Sequence, residues 1–541
     1  MLVALLTLHA SSLPWSDVNI LIVTDVHSWL AGHAHPDHTP VLDADYGDVL
    51  SLYERLAATA ARSGRDLFIV QNGDLNDGTG LSRIPPATLV PLIQKMPFDA
   101  LTTGNHELYK NVNIEYLTRP GGFVDSWKGA FLTSNVLNAT THEPLGARSK
   151  LLVGRATGVR LLTFGFLYDM PDHCDGVVLT LVEDAVKEAW FIDALKRTSE
   201  YDALLFLAHM DYKSVLVDLL LRAVRAVVGA RVPVQFVTGH SHIRAYRDLD
   251  RYAASFEAGH YLDTVGFASF ARGGLNGTTG GTTGGGTGGG GASFAHVDID
   301  ANVAAMAAAA GLDGPASLAT PAGAALSTAI AQTASSMGLD RVIGCSPIKY
   351  VPYSPLGSPD SLWALYLYNV TATEALGGNA SRIVIESTGS LRYDLYAGNV
   401  TTNDLWTITP FADRLWRVAP RVSGDVLAAI MRDLNGDSDA AAATVEEETA
   451  VVEATRRERS GRRGPREHVQ AVASGALPAY ATTSTPERGA VYEVWTLDFD
   501  LAAVGRAFQA RANQSVAPKL MLGGRNTTTL WESWIERSWP C

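Results

Sequence analysis

Three shortages narrow the class of this chain before any motif is read. Only three cysteines, Cys174, Cys345 and Cys541, stand in 541 residues. That number excludes a disulfide-framed miniature fold and a zinc ribbon, and leaves room for one bridge of undetermined pairing. Long apolar runs are missing too: none reaches the roughly 18 residues a membrane helix needs, so no transmembrane anchor is expected. Positive charge is scarce, with 43 Lys and Arg against 56 Asp and Glu, a net charge of -13. Nucleic acid is thereby excluded as the main partner, since neutralising its phosphates takes a basic face. An acidic chain can still handle a phosphate ester if metal ions bring the positive charge.

The remaining composition is that of a folded chain, 47% apolar and 18% charged, long enough for two to four domains. Twelve of its 50 glycines fall in a Gly/Thr tract at 273–291. The tract has no Gly-X-Y period and reads as a local flexible insert. Residues 1–12, apolar and then small (Ala10-Ser11-Ser12), read as a signal peptide or as a buried lead-in to the first strand. Seven of seventeen asparagines open an Asn-x-Ser/Thr sequon, at Asn138, Asn276, Asn369, Asn379, Asn399, Asn513 and Asn526. N-glycans and a secreted or secretory-lumen location are expected from them.

Apolar β-rich runs recur to about residue 240: 19–24, 67–71, 100–103, 203–208 and 234–238. Amphipathic stretches at 48–61, 183–197 and 215–228 lie between them and predict helices. This alternation predicts an α/β domain over 17–300 with buried strands. A linker helix is expected within 315–341, its helical run at 321–337, and a second domain over 342–541 with strands at 362–368 and 382–386. Residues 437–466, an acidic block followed by arginines, read as a disordered insertion. The tryptophans 531, 534 and 539 are expected to pack the C-terminal segment on its domain.

The runs of the first domain end in chemistry-bearing residues: Asp25-x-His27, Gly73-Asp74, Gly104-Asn105-His106-Glu107, His209, and Gly239-His240-x-His242. Ligand sites in α/β folds gather at strand C-termini. Carboxylates, one amide and several imidazoles are the mixture that two close divalent ions require. His33, His35 and His38 read as a solvated loop nearby.

These phrases, with Asp45-Tyr46-Gly47-Asp48, Leu75-Asn76-Asp77-Gly78-Thr79-Gly80 and Leu132-Thr133-Ser134-Asn135-Val136, resemble the calcineurin-like metallophosphoesterase superfamily. Within it the likeness is to the 5′-nucleotidase branch, and to its fungal-type secreted members. The resemblance implies a four-layer αββα sandwich with a second α+β, 5′-nucleotidase-like domain. It implies two divalent ions (Zn, Mn or Fe). Asp25, His27 and His242 would hold one ion, Asn105, His209 and His240 the other, and Asp74 would bridge them. His106 would be the catalytic histidine. Many relatives carry an Asp three residues after that histidine to orient it; here the position is Tyr109, and Asp77 or Asp211 is expected to take the role. In the second domain, Arg392 of Gly389-Ser390-Leu391-Arg392 and Phe411 of Pro410-Phe411 would contact a nucleotide. The second stacking aromatic has no clear match, Phe499 standing in roughly its region. The implied activity is hydrolysis of a phosphate monoester, a nucleotide first of all. The alternatives are a non-nucleotide or diester substrate, or a non-catalytic binding protein on the same scaffold.

Overall fold

A computed structural model describes residues 13–33, 41–272, 293–436, 477–512 and 516–541. The expected signal peptide at 1–12, His35 and His38, the Gly/Thr tract, the insertion at 437–466 and the sequons of Asn276 and Asn513 lie outside the described residues. The chain divides into two compact units, Met1–Asp77 with Leu81–Ala334, and Gly78–Gly80 with Ser335–Cys541.

Two six-stranded sheets build the first unit. In one, Val18–Val23 lies between the antiparallel Thr264–Phe270 and the parallel Phe68–Asn72, and Ala100–Thr102 and Phe131–Leu132 continue the sheet. In the other, Val234–Thr238, Ala203–His209 and Arg160–Leu167 run parallel as neighbours. Side chains alternate between the faces of a strand. Val18, Ile20, Ile22, Leu205, Leu207 and Val237 therefore fill one core shared by both sheets. The residues between them, Leu204, Phe206, Phe164 and Phe236, meet Phe191, Val217, Leu220 and Val224 of the covering helices. Helix Tyr46–Arg62 buries Val49, Leu52 and Leu56. The architecture is the αββα sandwich, and burial on both faces is why these strands read as continuous apolar runs.

Two expectations need correction here. The single helix at 183–197 is two, Val182–Ala185 and Ala189–Lys196, because Glu188 takes extended backbone (φ -69°, ψ 147°) between them. The expected strand at 362–368 is helical: the α-helix Leu362–Leu365 runs into a wider π-helix at Tyr366–Ala375, and Ser361 Oγ caps the Ala364 N–H. Leu362, Trp363, Leu365, Tyr366 and Leu367 are all buried, and a short continuous apolar run carries no period to tell strand from helix. Helix Pro321–Ser336 packs on Tyr46–Arg62 through two glycines. A Cβ on Gly323 would lie 2.4 Å from Gly47 O.

The second unit has a five-stranded sheet, Tyr480–Thr482, Arg382–Ser387, Val491–Leu497, Leu415–Ser423 and Lys519–Leu520 in spatial order. Helices Gly424–Leu434 and Leu501–Ala512 pack on Ile383, Ile385 and Val494. Trp531 and Trp534 lie buried in a core with Trp363 and Tyr366, and Trp539 packs against it, as expected. A disulfide joins Cys345 to Cys541, with Cα atoms 5.1 Å apart, while Cys174 is free.

Glu386 lies on the same strand face as Val384, fully buried, and neither carboxyl oxygen has a hydrogen-bond partner. Burial first, and then the charge of Asp500, hold its pKa well above the carboxylate range. Burial likewise pushes Asp500 up to about 6. A carboxyl whose pKa is raised by folding binds its proton more tightly in the folded state. Its contribution is therefore complete at low pH and is lost as pH climbs from the ordinary carboxylate range through the raised value. Glu386→Gln removes that loss. It is expected to stabilise the fold by roughly 1–3 kcal/mol at pH 8 and by much less at pH 5, read by thermal denaturation at both. An equal effect at the two pH values would show that Glu386 is ionised in the fold.

Candidate active site

Each chemistry-bearing motif begins where a strand stops. Asp25 and His27 follow Val18–Val23, Asp74 follows Phe68–Asn72, Asn105 and His106 follow Ala100–Thr102, His209 ends its strand, and His240 and His242 follow Val234–Thr238. Among the described residues, thirteen non-glycine residues have positive φ, and five of these are Asp25 (48°), His27 (43°), Asp74 (50°), His240 (77°) and His242 (60°). Left-handed backbone at such residues costs of order 1–3 kcal/mol each and persists only where the surroundings dictate it.

Two buried glutamates help dictate it. Glu107 accepts the backbone N–H groups of Gly104 (2.8 Å), Asp74 (3.1 Å), Leu75 (2.8 Å) and Asn76 (3.1 Å). Glu257 accepts the Ser241 hydroxyl (2.7 Å) and the Ile243 N–H (3.3 Å) under the loop that carries His240 and His242. The loops also tie to one another. His106 N–H donates to Asp74 Oδ1 (3.0 Å) and His240 N–H to Asp25 Oδ1 (2.9 Å). Two motif glycines leave room for these carboxylates: a Cβ on Gly104 would lie 2.1 Å from Asp74 Oδ1, and one on Gly239 2.5 Å from Asp25 Oδ2.

The result is two groups of converging donor atoms, Asp25, His27, Asp74 and His242 in one and Asp74, His209 and His240 in the other, each within 4.8 Å. Their tautomers follow from the backbone. His27 Nδ1 faces the carbonyls of Asn76 (2.8 Å) and Asp77 (3.0 Å), and His209 Nδ1 faces that of Asn72 (2.7 Å). A nitrogen that donates to a carbonyl holds the proton, so each Nε2 presents a lone pair. His27 Nε2 lies 3.1 Å from His242 Nε2, and His209 Nε2 lies 3.1 Å from Asn105 Oδ1 and 3.2 Å from Asp74 Oδ2. Buried Asp74 Oδ2 has no hydrogen-bond partner; its neighbours are His27 Nε2 at 3.4 Å and His106 Nε2 at 4.0 Å. Lone pairs facing lone pairs repel unless a proton or a cation lies between them. The donor set therefore fits two divalent ions, with Asp74 common to both and Asn105 Oδ1 beside the second group.

Without cations, protons take their place. Burial, with Asp74 nearby and despite His209, pushes Asp25 up to about 7. His209, despite its burial, is raised to about 10 by Asp74 and Asp25. Asp74 is held well below the usual range by His209, His106 and His27, against the effect of burial.

His106 Nδ1 lies 3.1 Å from Asp77 Oδ2, so of the two expected orienting groups the fold supplies Asp77. Asp211 is turned to its own loop, accepting the Lys213 N–H (2.6 Å). Tyr109, edge-on to the His106 ring, takes the Asn105 amide instead. His33 departs from the solvated loop expected for it. It is 6% exposed, stacked on Trp29 at 4.4 Å, with Nε2 2.5 Å from the Tyr261 carbonyl. Glu257 adjoins no ligand in the chain and carries no signal in the sequence; Glu107 lies inside the Gly104-Asn105-His106-Glu107 phrase, which gives no sign of its role as an acceptor of four backbone N–H groups. In the second unit, Arg392 and Phe411 come together, the guanidinium carbon 5.7 Å from the ring centroid. Phe499 is 55% exposed.

A family model described as calcineurin-like phosphoesterase matches residues 18–244, the span that holds every residue of the two donor groups. The chain carries a calcineurin-like phosphoesterase domain. A second model, described as NAD nucleotidase, C-terminal domain, matches residues 349–484. The phosphoesterase is a hydrolase of a class that uses divalent metals. It is 29% identical over 457 residues to an uncharacterised protein of Schizosaccharomyces pombe, covering 79% of this chain and 73% of the other. A protein of Arthroderma benhamiae named "Secreted protein" is 26% identical over 469 residues, 80% and 69% of the two chains. In fold, the phosphoesterase is similar to the 5′-nucleotidase of Candida albicans, with a TM-score of 0.80 at 23% identity over 97% of this chain and 99% of that one.

Proposed function

We propose that the phosphoesterase is a secreted 5′-nucleotidase-type enzyme that releases phosphate from a nucleotide. The observation that carries the phosphomonoesterase reading is the convergence of imidazole lone pairs and carboxylates beside a histidine that belongs to neither donor group. In this reading Asp25, His27 and His242 hold one ion, Asn105, His209 and His240 the other, and Asp74 both. When bound, the ions supply a hydroxide nucleophile and neutralise the phosphoryl charge. The protein's own residues do the rest. Asp77 fixes the Nδ1 proton of His106 and turns Nε2 toward the Asp74 side of the site. From there His106 stabilises the phosphoryl oxygens and delivers a proton to the leaving oxygen. Glu107 and Glu257 hold the ligand loops in shape.

Nucleotide as the substrate is supported by the NAD-nucleotidase-type C-terminal domain and by the Arg392–Phe411 pair, a cation beside an aromatic ring suited to a phosphorylated base. A secretory location is supported by the Cys345–Cys541 bridge, by sequons whose Asn369, Asn379 and Asn399 are exposed, and by the secreted relative.

The test is hydrolysis of AMP, UDP-glucose and glycerophosphate at equal concentration with Mn²⁺ or Zn²⁺, alongside p-nitrophenyl phosphate. AMP is expected to rank first. AMP among the worst, with p-nitrophenyl phosphate still turned over, would remove the nucleotide assignment alone. No turnover of any of them would remove the enzymatic one.

A further inference from the structure

Four strands of the second sheet run parallel as neighbours: Ala253–Ala258, Val234–Thr238, Ala203–His209 and Arg160–Leu167. The middle two end in proposed ligands, His209 and the loop of His240 and His242. The outer two end in flat rings at the same edge. Tyr168 directly follows Leu167, and its ring lies on His240 with centroids 4.4 Å apart and 30° between planes. His260 stands two residues beyond Ala258 and lies on His242, at 4.7 Å and 18°. Both segments are tied to ligands through the backbone. The Tyr168 N–H donates to the His209 carbonyl (3.2 Å), and the Tyr261 N–H, next to His260, donates to that of Asp25 (2.8 Å). The N–H of His260 itself donates to Asp263 Oδ1 (2.9 Å).

The two stacked ligands are the imidazoles that burial holds least. His27 and His209 are fully buried, each with Nδ1 at a backbone carbonyl. His240 and His242 are half-buried on one shared loop, and 19% of the His242 side chain is exposed. An imidazole offers its lone pair in the plane of the ring, so a ring that turns carries the lone pair off the ion. A flat neighbour at stacking distance blocks that turn. We propose that Tyr168 and His260 are positioning residues, one for each ion: Tyr168 fixes the ring plane of His240 at the second ion, and His260 that of His242 at the first. The strand ends that bring no ligand thus hold the rings of the ligands between them. The inference rests on the reading above, in which His240 and His242 belong to different ions.

The test is Mn²⁺ and Zn²⁺ titration of the full chain without turnover, in two backgrounds. His209→Ala leaves the first donor group whole, and His27→Ala the second. Leucine keeps bulk at the stacked position and removes the flat face. His260→Leu is expected to weaken the first ion about 10- to 100-fold, as loss of an outer-shell partner does, and to leave the second nearly unchanged. Tyr168→Leu is expected to do the reverse. His260→Phe and Tyr168→Phe keep a flat ring and are expected to bind nearly as their parents do. Phenylalanine as weak as leucine would mean that the ring plane is not what matters. Equal losses at both ions would mean a general loosening of the site. Either result, or no loss from leucine, overturns the proposal. Where a leucine variant does not fold, methionine at the same position takes its place in the comparison. His240→Ala and His242→Ala, made in the otherwise unchanged chain, separate the inference from its premise. If each still binds two ions at full affinity, the ligand assignment fails, whatever the stacked rings do.

Discussion

Asp74→Asn will leave the protein unable to hold two ions. The Oδ2 atom of Asp74 sits among three imidazoles, with His209 Nε2 at 3.2 Å, His27 Nε2 at 3.4 Å and His106 Nε2 at 4.0 Å. It is the one carboxylate common to both donor groups. Asparagine is nearly the same size and takes away the negative charge. An NH₂ group at that point would also donate to the imidazole lone pairs and satisfy them with protons of its own. The need for cations would then vanish along with the charge that attracts them. Metal content is expected to fall from two ions to one or none. With several kcal/mol of transition-state stabilisation gone, turnover should fall roughly a thousandfold or more. Elemental analysis after dialysis and phosphate release measure the two effects. Two ions still bound with near-native affinity would show that Asp74 bridges nothing.

His106→Ala will have the opposite signature. His106 belongs to neither donor group, and its Nδ1 is engaged by Asp77. Removing an acid–base group of this kind costs about 10²–10⁴ in turnover, and both ions should stay. Asp77→Asn should lie between this variant and the wild type. The imidazole keeps its place but loses the charged partner that fixes its tautomer, and a loss of about 10- to 100-fold is expected, mostly in kcat. The three variants separate by metal analysis and kinetics together. Metal loss from His106→Ala would mean that this histidine is a ligand. An unchanged kcat in Asp77→Asn would mean that the 3.1 Å contact has no part in the reaction.

Much of this site was legible in the chain because its information is local. A buried parallel strand is a continuous apolar run, and the first polar residues after it fall at the sheet's C-terminal edge. Asp25, Asp74, Asn105 and His209 could be found that way, and their order pointed to the family. Legibility stopped where local information did. The run from Leu362 to Tyr368 is continuously apolar and has no period, so hydropathy alone does not tell its helix from a strand. Glu188 interrupts an amphipathic pattern through its backbone conformation, which hydropathy does not record.

What the sequence by itself determined was a set of polar residues at strand ends and the strands that deliver them. It could do so because the end of a strand is a property of a few consecutive residues. The tertiary structure alone decided who faces whom. His27 meets His242 across 215 residues, and His209 meets Asn105 across 104. Asp77 rather than Asp211 became the partner of His106, and the Tyr109 hydroxyl accepts from the Asn105 amide. Such choices depend on angles between loops held by Glu107 and Glu257, and on which lone pair remains once the backbone has claimed the other nitrogen. Those quantities exist only after the two sheets have packed.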